Sequence, residues 1–299
     1  ESAPTSEQAL TALGIVSDSE TPARAGSLTP GLYASRDRST RRHKTYWSRP
    51  KPWGMTEEVK SWWELTARWF QADIDLDVGV NWTGMGADDD LRLLLDVADK
   101  DVLELGCGGG QCSVALAERG ANVTGIDLST EQLDYARDLA DERDADVAFL
   151  QGDVTDLGMF ADDSFDVAFN AYVFQWVDDL AACFREAHRV LRSGGRFVFS
   201  MPHPVYDLAD PDTHEIEGSY FDTGRQVTPQ DDLAVDMVTY RHSVADVHNA
   251  LVGAGFRVER MLEPGSDDPD DYEEGPWGEH RPELLAKLPS TLIFEARAA

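Results

Sequence analysis

The stretch VLELGCGGGQ, Val102–Gln111, decides the fold of this chain. An apolar strand pattern over 101–105 runs directly into a glycine-rich turn, and a helical pattern follows at 111–118. Glycine lets the backbone turn tightly and lets a ligand approach main-chain N–H groups. A strand, such a turn and a helix in this order predict a nucleotide-type ligand site at the carboxyl end of the strand.

The spacing of the glycines narrows the kind of ligand. The dinucleotide fingerprint G-x-G-x-x-G would need a third glycine at position 111, where the chain has Gln111. Glycines stand instead at 106, 108 and 110, and Glu104 lies two residues before the first of them. This pattern disfavours a nicotinamide-dependent oxidoreductase, which stays open as an alternative.

Strand and helix patterns alternate along the rest of the chain. The predicted strands lie at 101–105, 122–126, 147–150, 165–169, 196–200, 256–262 and 291–296. The predicted helices lie at 111–118, 129–143, 180–191 and 244–254. Such alternation predicts an α/β domain over 99–299, with a mostly parallel sheet covered by helices on both faces. An irregular insertion is predicted at about 202–240, after the fifth strand.

The N-terminal part is predicted to be different in character. Residues 1–55 read as a poorly ordered arm, and up to Thr56 the chain carries eight bases and five acids. A helical, aromatic cap is predicted over 56–98, beginning at Thr56 as the N-cap, with Trp62 and Trp63 near helical spacing. Its tryptophans are expected to pack on the main domain. Trp82 is the first candidate for the alternative role, lining a ligand pocket.

The charge balance excludes some partners. With 56 acids and 26 bases among 299 residues the formal charge is −30, which disfavours binding of nucleic acid or anionic lipid. The acidic residues are scattered along the chain, and this distribution resembles that of proteins from salt-loving microbes. In those cells molar salt screens the repulsion between like charges. An acidic surface made for a basic partner is the alternative.

Cysteine use and the absence of targeting signals predict a cytoplasmic protein. Cys107, Cys112 and Cys183 are too few for a disulfide framework and are expected to be reduced. No His or Cys spacing predicts a metal site. No run of residues is long and apolar enough to predict a membrane span, and the N-terminus lacks a signal-peptide pattern.

Polar residues follow several strands at the same predicted sheet edge. Asp127 ends the second strand, 19 residues after Gly108, where a carboxylate accepts ribose hydroxyls in dinucleotide folds. Asp153 follows the third strand and Asn170 ends the fourth. Taken singly, Glu104 could be a solvated charge at a strand end. Asp127 could be an acidic residue at the N-terminus of the next helix, and Asp153 could form a turn. Their joint position favours a ligand site.

These motifs, taken together, resemble the class I S-adenosylmethionine-dependent methyltransferases, and most of all the branch with the ubiquinone- and menaquinone-type enzymes. The resemblance covers about 100–200 and continues through 254–256, 263–264 and 291–294. It rests on ELGCGGG at 104–110, GIDLS at 125–129, GD at 152–153, FDVAF at 165–169 and VLRSGGRF at 190–197. It implies a Rossmann-like, seven-stranded sheet whose last strand is antiparallel. It also implies S-adenosylmethionine as cofactor and S-adenosylhomocysteine as product.

The resemblance also implies roles for residues at matching positions. The methionine part of the cofactor would be lined by Gly106, Cys107 and Gly108, and Glu104 would support its amino group. The ribose would be held by Asp127. The adenine would be flanked by Leu128 and met by Asp153 and Val154. The methionine amino group would also meet the backbone carbonyl of Asn170.

The acceptor side is less determined by the sequence. His203, between two prolines after the fifth strand, is the candidate general base, with a plain turn residue as the alternative. Tyr172 and Gln175 are candidates for the acceptor pocket. The motif at 170–173 reads Asn-Ala-Tyr-Val and not Asn-Pro-Pro-Tyr, which with the acidic balance points to a small-molecule acceptor.

Several questions stay open at the level of sequence. The arm and the 202–240 insertion are expected to form a lid. A non-catalytic protein that binds the cofactor is one alternative, and an RNA methyltransferase that uses the basic arm is another. The sequence does not choose among C-, N- and O-methylation and does not fix the oligomeric state.

Overall fold

The computed structural model of the chain describes residues 55–73, 76–83, 91–210, 212–231, 233–272 and 281–299. The predicted arm over 1–55 lies outside these ranges, apart from its last residue. The described helices are α1 Met55–Asp73, α2 Gln111–Glu118, α3 Thr130–Glu142, α4 Leu180–Val190, α5 Val244–Gly253 and the short α6 Pro282–Leu285. The described strands are β1 Asp101–Leu105, β2 Asn122–Asp127, β3 Val147–Gln151, β4 Phe165–Ala171, β5 Leu191–Pro202, β6 Gly224–Thr228, β7 Met237–Arg241, β8 Phe256–Leu262 and β9 Thr291–Ala298.

Seven of these strands form one sheet in the order β3-β2-β1-β4-β5-β9-β8. Strands β1 to β5 pair in parallel, while β9 is antiparallel to both of its neighbours, β5 and β8. The predicted α/β, Rossmann-like sheet with an antiparallel last strand is therefore confirmed. The fifth strand is longer than predicted: it begins at Leu191, directly after α4.

The two faces of the sheet are covered by separate hydrophobic clusters. Along β1, Leu103 and Leu105 belong to one cluster and Val102 to the other, because successive side chains of a strand point to opposite faces. On β5, Phe197 and Val198 divide in the same way. Burial on both faces explains why these strands read as nearly continuous apolar runs.

The insertion after β5 is more regular than the sequence predicts. Strands β6 and β7 pair antiparallel, with Gly224 opposite Arg241 and Thr228 opposite Met237. The irregular interpretation of 202–240 is therefore wrong for this part. The eight residues that connect the two strands lack the two-residue turn signal by which a hairpin is read from sequence.

Helix α1 packs against α3 and β7. It begins at Met55, so Thr56 lies inside the helix and the prediction of Thr56 as its N-cap is wrong. Its buried positions, Val59, Trp62 and Thr66, recur at helical spacing, which explains why the segment folds as an amphipathic helix. None of the helices in the described ranges combines the length and apolar character that crossing a bilayer requires.

Candidate functional site

The glycine-rich turn after β1 is pinned to the end of β2. The backbone N–H groups of Gly106 and Cys107 both donate to the Ile126 carbonyl, at 2.8 Å each. Gly106 has φ +76°, and a Cβ added there would lie 2.6 Å from Cγ2 of Val173. Only glycine satisfies both conditions. These contacts fix the turn at 106–110 at the carboxyl edge of the sheet. We call this turn the cradle.

Asp127 is fixed at the centre of this edge by two backbone donors. Its Oδ2 accepts from the Gly108 N–H at 2.9 Å, and its Oδ1 accepts from the Ser129 N–H at 2.9 Å. Burial raises the pKa of the carboxyl, and the N–H donors oppose that rise. A carboxylate has about four acceptor positions, so the two backbone bonds leave acceptor capacity for hydroxyl groups of a ligand.

Glu104 lies behind the cradle on β1 and is 2% exposed. Its Oε2 accepts a hydrogen bond from the Ser113 hydroxyl of α2. Burial raises the pKa of Glu104 to about 8, and the nearby Asp127 charge adds to that rise. The acid therefore keeps its proton at neutral pH, and a cation bound beside it would favour its ionised form.

The next two strand ends complete the edge. Oδ1 of Asp153 accepts from the N–H and the hydroxyl of Thr155, at 2.8 and 2.7 Å, so this side chain does form a turn. The Asn170 amide is buried, donates to the Leu105 carbonyl at 2.8 Å and accepts from the Val173 N–H at 3.2 Å. It thereby ties the end of β1 to the turn after β4. Both ligand roles stay predictions.

The candidate acceptor residues lie in that same turn after β4. Tyr172 has φ +58°, and its hydroxyl lies 2.5 Å from the Thr291 hydroxyl. The Gln175 amide nitrogen donates to the Tyr172 carbonyl at 2.7 Å. Trp82 is placed differently: it is 2% exposed and packs edge-on against Phe169 in the core. That placement suits a packing role, and its ligand role stays a prediction.

His203 lies just past β5 with protein partners on both ring nitrogens. Nδ1 accepts from the Val205 N–H at 3.2 Å, and Nε2 lies 2.9 Å from Oε1 of Glu263. Because Nδ1 accepts, the proton belongs on Nε2, which donates to Glu263. Burial lowers the pKa of His203, and Glu263 opposes that shift. A base role would require one of these contacts to open, and it stays a prediction.

Helix α1 supplies polar contacts that sequence reasoning missed. The Gln111 amide donates to Oε1 of Gln71 at 2.6 Å, and the Gln71 amide donates to Oε1 of Gln132 at 2.7 Å. Nearer the start of α1, Glu64 accepts from the Thr130 N–H at 2.9 Å. These bonds hold α1 across the first turns of α2 and α3, beside the cradle. The partners are 40 to 66 positions apart, and no local pattern indicates such pairs.

Aromatic rings close the same side. Trp62 stacks on Trp176 with ring centroids 5.2 Å apart, and Trp63 meets Trp176 edge-on at 5.1 Å. We call these three residues the tryptophan cluster. Leu128, the residue after Asp127, belongs to the same hydrophobic group as Trp63 and Trp176. The tryptophan cluster therefore adjoins the edge at which Asp127 is held.

The cysteines take no part in cross-links in the structure. Cys107, Cys112 and Cys183 are all free thiols. Burial raises the pKa of Cys107 and of Cys183, so both stay protonated and unreactive. Within the described ranges, no group of three or more His, Cys, Asp or Glu side chains is placed to hold a metal ion.

Comparisons with known proteins give consistent matches. A family model described as "Methyltransferase domain" matches residues 103–199. The chain is 37% identical over 129 residues to the malonyl-(acyl-carrier protein) O-methyltransferase of Serratia marcescens, covering 43% of this chain and 46% of the relative. It is 34% identical over 140 residues to the ubiquinone biosynthesis O-methyltransferase of Pseudomonas syringae pv. tomato, covering 46% and 56%.

The match thus spans about half the length of these curated relatives. Among solved structures, the chain is similar to an S-adenosylmethionine-dependent methyltransferase from Mesorhizobium loti, with 32% identity and a TM-score of 0.56. That match covers 69% of this chain and 94% of the other.

Proposed function

Since the chain belongs to the S-adenosylmethionine-dependent methyltransferases, we propose that it transfers a methyl group to a small-molecule acceptor by in-line displacement. S-adenosylmethionine, the cofactor of this family, supplies when bound a methyl group that is already activated on its sulfonium. The observation that carries the proposal is the placement of Asp127, whose carboxylate is fixed by the N–H groups of Gly108 and Ser129 beside the cradle.

The residues at the edge fit the polar groups of this cofactor. Asp127 would accept from the ribose hydroxyls, and Glu104 would support the charged amino group from behind the cradle. The methionine part would lie along the backbone of 106–108, which the positive φ angles of Gly106 and Gly108 hold in place. The remaining contacts we propose are with Leu128, Asp153, Val154 and the carbonyl of Asn170.

The main contribution of the protein would be orientation. Displacement at the methyl carbon needs the acceptor atom at roughly 3–3.5 Å in line with the leaving sulfur, and such placement can supply about 7–11 kcal/mol of the barrier. Helix α1 and the β6–β7 hairpin would exclude water from that side. The carboxyl edge of the sheet supplies a rigid base, since its turns are tied by Asn170 and by the N–H bonds to Ile126.

The relatives support an acceptor that is a small molecule or is carried by a small protein. Both relatives are named as O-methyltransferases, one for malonyl-(acyl-carrier protein) and one in ubiquinone biosynthesis. We therefore propose an oxygen atom as the methylated position. The formal charge of −30 disfavours a nucleic-acid substrate, and we further propose a cytoplasmic setting of high salt.

Calorimetric titration of S-adenosylmethionine and of NAD into the purified chain, in molar KCl, tests the cofactor site. We expect S-adenosylmethionine to bind and NAD not to bind. Asp127→Ala should weaken binding by at least tenfold, since charge-assisted hydrogen bonds contribute about 1.5–3 kcal/mol each. Asp138→Ala, on the exposed side of α3, also removes one carboxylate and is the matched control. It should leave the affinity for S-adenosylmethionine unchanged.

Two results would contradict this proposal. Binding of NAD in place of S-adenosylmethionine would indicate the cofactor site of a nicotinamide-dependent oxidoreductase. Equal affinities for wild type and Asp127→Ala would place the cofactor elsewhere. If the cofactor binds but no labelled methyl group reaches any member of a small-molecule acceptor panel, the non-catalytic alternative is favoured.

A further inference from the structure

Two buried polar groups at the tryptophan cluster find no hydrogen-bond partner within the described residues. Trp62 is 8% exposed and Tyr240 is 3% exposed. Neither the indole Nε1 of Trp62 nor the hydroxyl of Tyr240 has a partner in the part of the chain that the structure describes. A buried group left without a partner costs about 1–3 kcal/mol, so two such groups at one place call for a physical reason.

A third such group belongs to Gln175, the residue before Trp176 of the tryptophan cluster. The Gln175 amide nitrogen donates to the Tyr172 carbonyl, which fixes the orientation of the side chain. Its Oε1 is buried and, among the described residues, has no donor. The three groups are thus one N–H donor, one carbonyl acceptor and one hydroxyl that can act either way.

The packing places the three elements that carry these groups against one another. Trp62 stacks on Trp176, the residue next to Gln175. Tyr240 belongs to the hydrophobic group that includes Trp63, Leu128 and Trp176, and β7 packs against the turn at 174–176. The set thus lies where α1, β7 and that turn meet, one residue from Asp127.

The ion pair across the seam between α1 and the β6–β7 hairpin contributes little to keeping it closed, and buried apolar contacts such as Val59 with Val238 hold it. The ion pair joins Arg225 to Glu58 at 3.0 Å, with the two side chains 38% and 47% exposed. Exposed pairs of this kind contribute about 0–1 kcal/mol. Opening the seam would also give the unpartnered groups water or a ligand, which offsets part of the apolar contact that is lost.

We propose that the Trp62 indole N–H, the Tyr240 hydroxyl and Gln175 Oε1 bind the acceptor of the methyl group, and that this acceptor is an uncharged, planar ring with both donor and acceptor atoms. This inference rests on the proposed function. The ring would lie against the tryptophan faces, where offset and edge-on contacts are favourable. None of the three groups is charged, and the charges that act on the Tyr240 hydroxyl, on Asp178, Arg225 and Glu58, are of both signs. Burying an unpaired charge there would cost far more than burying a neutral ring.

The test uses Tyr240→Phe, which removes only the hydroxyl. The probes are catechol, toluene, cyclohexane-1,2-diol and benzoate, titrated into the chain saturated with S-adenosylhomocysteine. We expect catechol to bind most tightly and Tyr240→Phe to weaken it roughly tenfold, as the loss of one buried hydrogen bond implies. Affinities for toluene and for S-adenosylhomocysteine should not change. Tyr135→Phe, a hydroxyl loss on α3, is the matched control.

A thermal melt separates a binding role from a structural one. Because the Tyr240 hydroxyl has no partner among the described residues, Tyr240→Phe should leave Tm unchanged or raise it while the catechol affinity falls. A lower Tm with unchanged catechol affinity would overturn the inference. So would the absence of catechol binding to the S-adenosylhomocysteine-loaded chain, or a preference for toluene or benzoate. Failure of S-adenosylhomocysteine itself to bind would instead overturn the proposed function.

Discussion

At the scale of single residues, the cradle depends on one glycine for two separate reasons. Gly106 combines φ +76° with a Cβ position that Val173 already fills. Gly194 has a similar φ of +77°, but no atom of the described residues lies within 4 Å of its added Cβ. Alanine substitutions at these two glycines therefore distinguish the cost of backbone strain from the cost of steric overlap within one protein.

We expect Gly106→Ala to lower the free energy of unfolding by about 3 kcal/mol, the sum of left-handed strain and overpacking. Gly194→Ala should cost only about 1–2 kcal/mol, because strain acts there alone. Urea unfolding of both variants measures the difference. Equal losses would show that Val173 yields without cost and that the cradle is not tightly packed.

Glu104 makes the free energy of unfolding depend on pH. Its pKa is raised to about 8 in the native state, while the unfolded chain releases this proton near the ordinary value of about 4.3. Between these values the native state binds more protons, so the free energy of unfolding falls as pH rises and levels off above the native pKa. Below the unfolded pKa both states are protonated, and the contribution is fully present.

Glu104→Gln should remove this part of the slope, which is at most about 1.4 kcal/mol per pH unit. Glutamine keeps the shape and the capacity to accept from Ser113. Urea midpoints of wild type and variant, compared between about pH 5 and about pH 8, measure it. Asp127, whose pKa is also raised by burial, remains in both proteins. Identical slopes would show that Glu104 is ionised in the native state.

At the scale of elements, the polar contacts of α1 with α2 and α3 include a pair of hydrogen bonds made by one glutamine. Gln71 is central, since it accepts from Gln111 and donates to Gln132. The Cβ of an added side chain at Gly109 would lie 2.3 Å from Oε1 of Gln71, so the cradle and α1 fit closely there. The helix thus covers the candidate site through side chains rather than through backbone pairing.

We expect Gln71→Ala to raise the hydrogen-exchange rates of α1 amides by about tenfold or more, because two hydrogen bonds of about 1 kcal/mol each are lost. Amides of β1 should exchange as before. Leu65→Ala, at a position on α1 that is 51% exposed, removes a side chain of similar size without polar contacts. Parallel rises in both variants, or a rise in β1, would contradict a local latch at Gln71.

At the scale of the whole molecule, the formal charge of −30 dominates. Self-repulsion of this size weakens the compact state, and salt screens it as the Debye length falls from about 10 Å at 0.1 M to about 3 Å at 1 M. We expect Tm to rise by at least about 5 °C over this range, which for a chain of this size is roughly 2 kcal/mol.

The dependence of Tm on salt concentration distinguishes charge screening from exclusion of salt from the protein surface. Screening acts steeply at low ionic strength and levels off near molar salt, whereas exclusion of salt from the protein surface grows steadily with concentration. Thermal melts in a KCl series measure the curve. A flat response would show that the acids are spaced widely enough for repulsion to be unimportant, and would remove the physical basis for a high-salt setting.

Most of the sheet could be predicted from the sequence because local patterns carry it. The strand at 101–105 and the helix at 111–118 have the predicted bounds, and the last strand is antiparallel as expected. The β6–β7 hairpin was missed, since no tight-turn signal marks its eight-residue connection. Asp127 and Glu104 were identified as candidates from spacing alone, but not their partners Ser129 and Ser113.

The sequence by itself determined the order of strands and helices, the glycine cradle and the acidic balance, since each is set by neighbouring residues or by composition. Only the tertiary structure decided what α1 packs against, which nitrogen of His203 carries the proton, and that the elements carrying Trp62, Tyr240 and Gln175 pack together. Those features depend on side chains far apart in sequence. Their contacts arise from packing of whole elements, which no local pattern encodes.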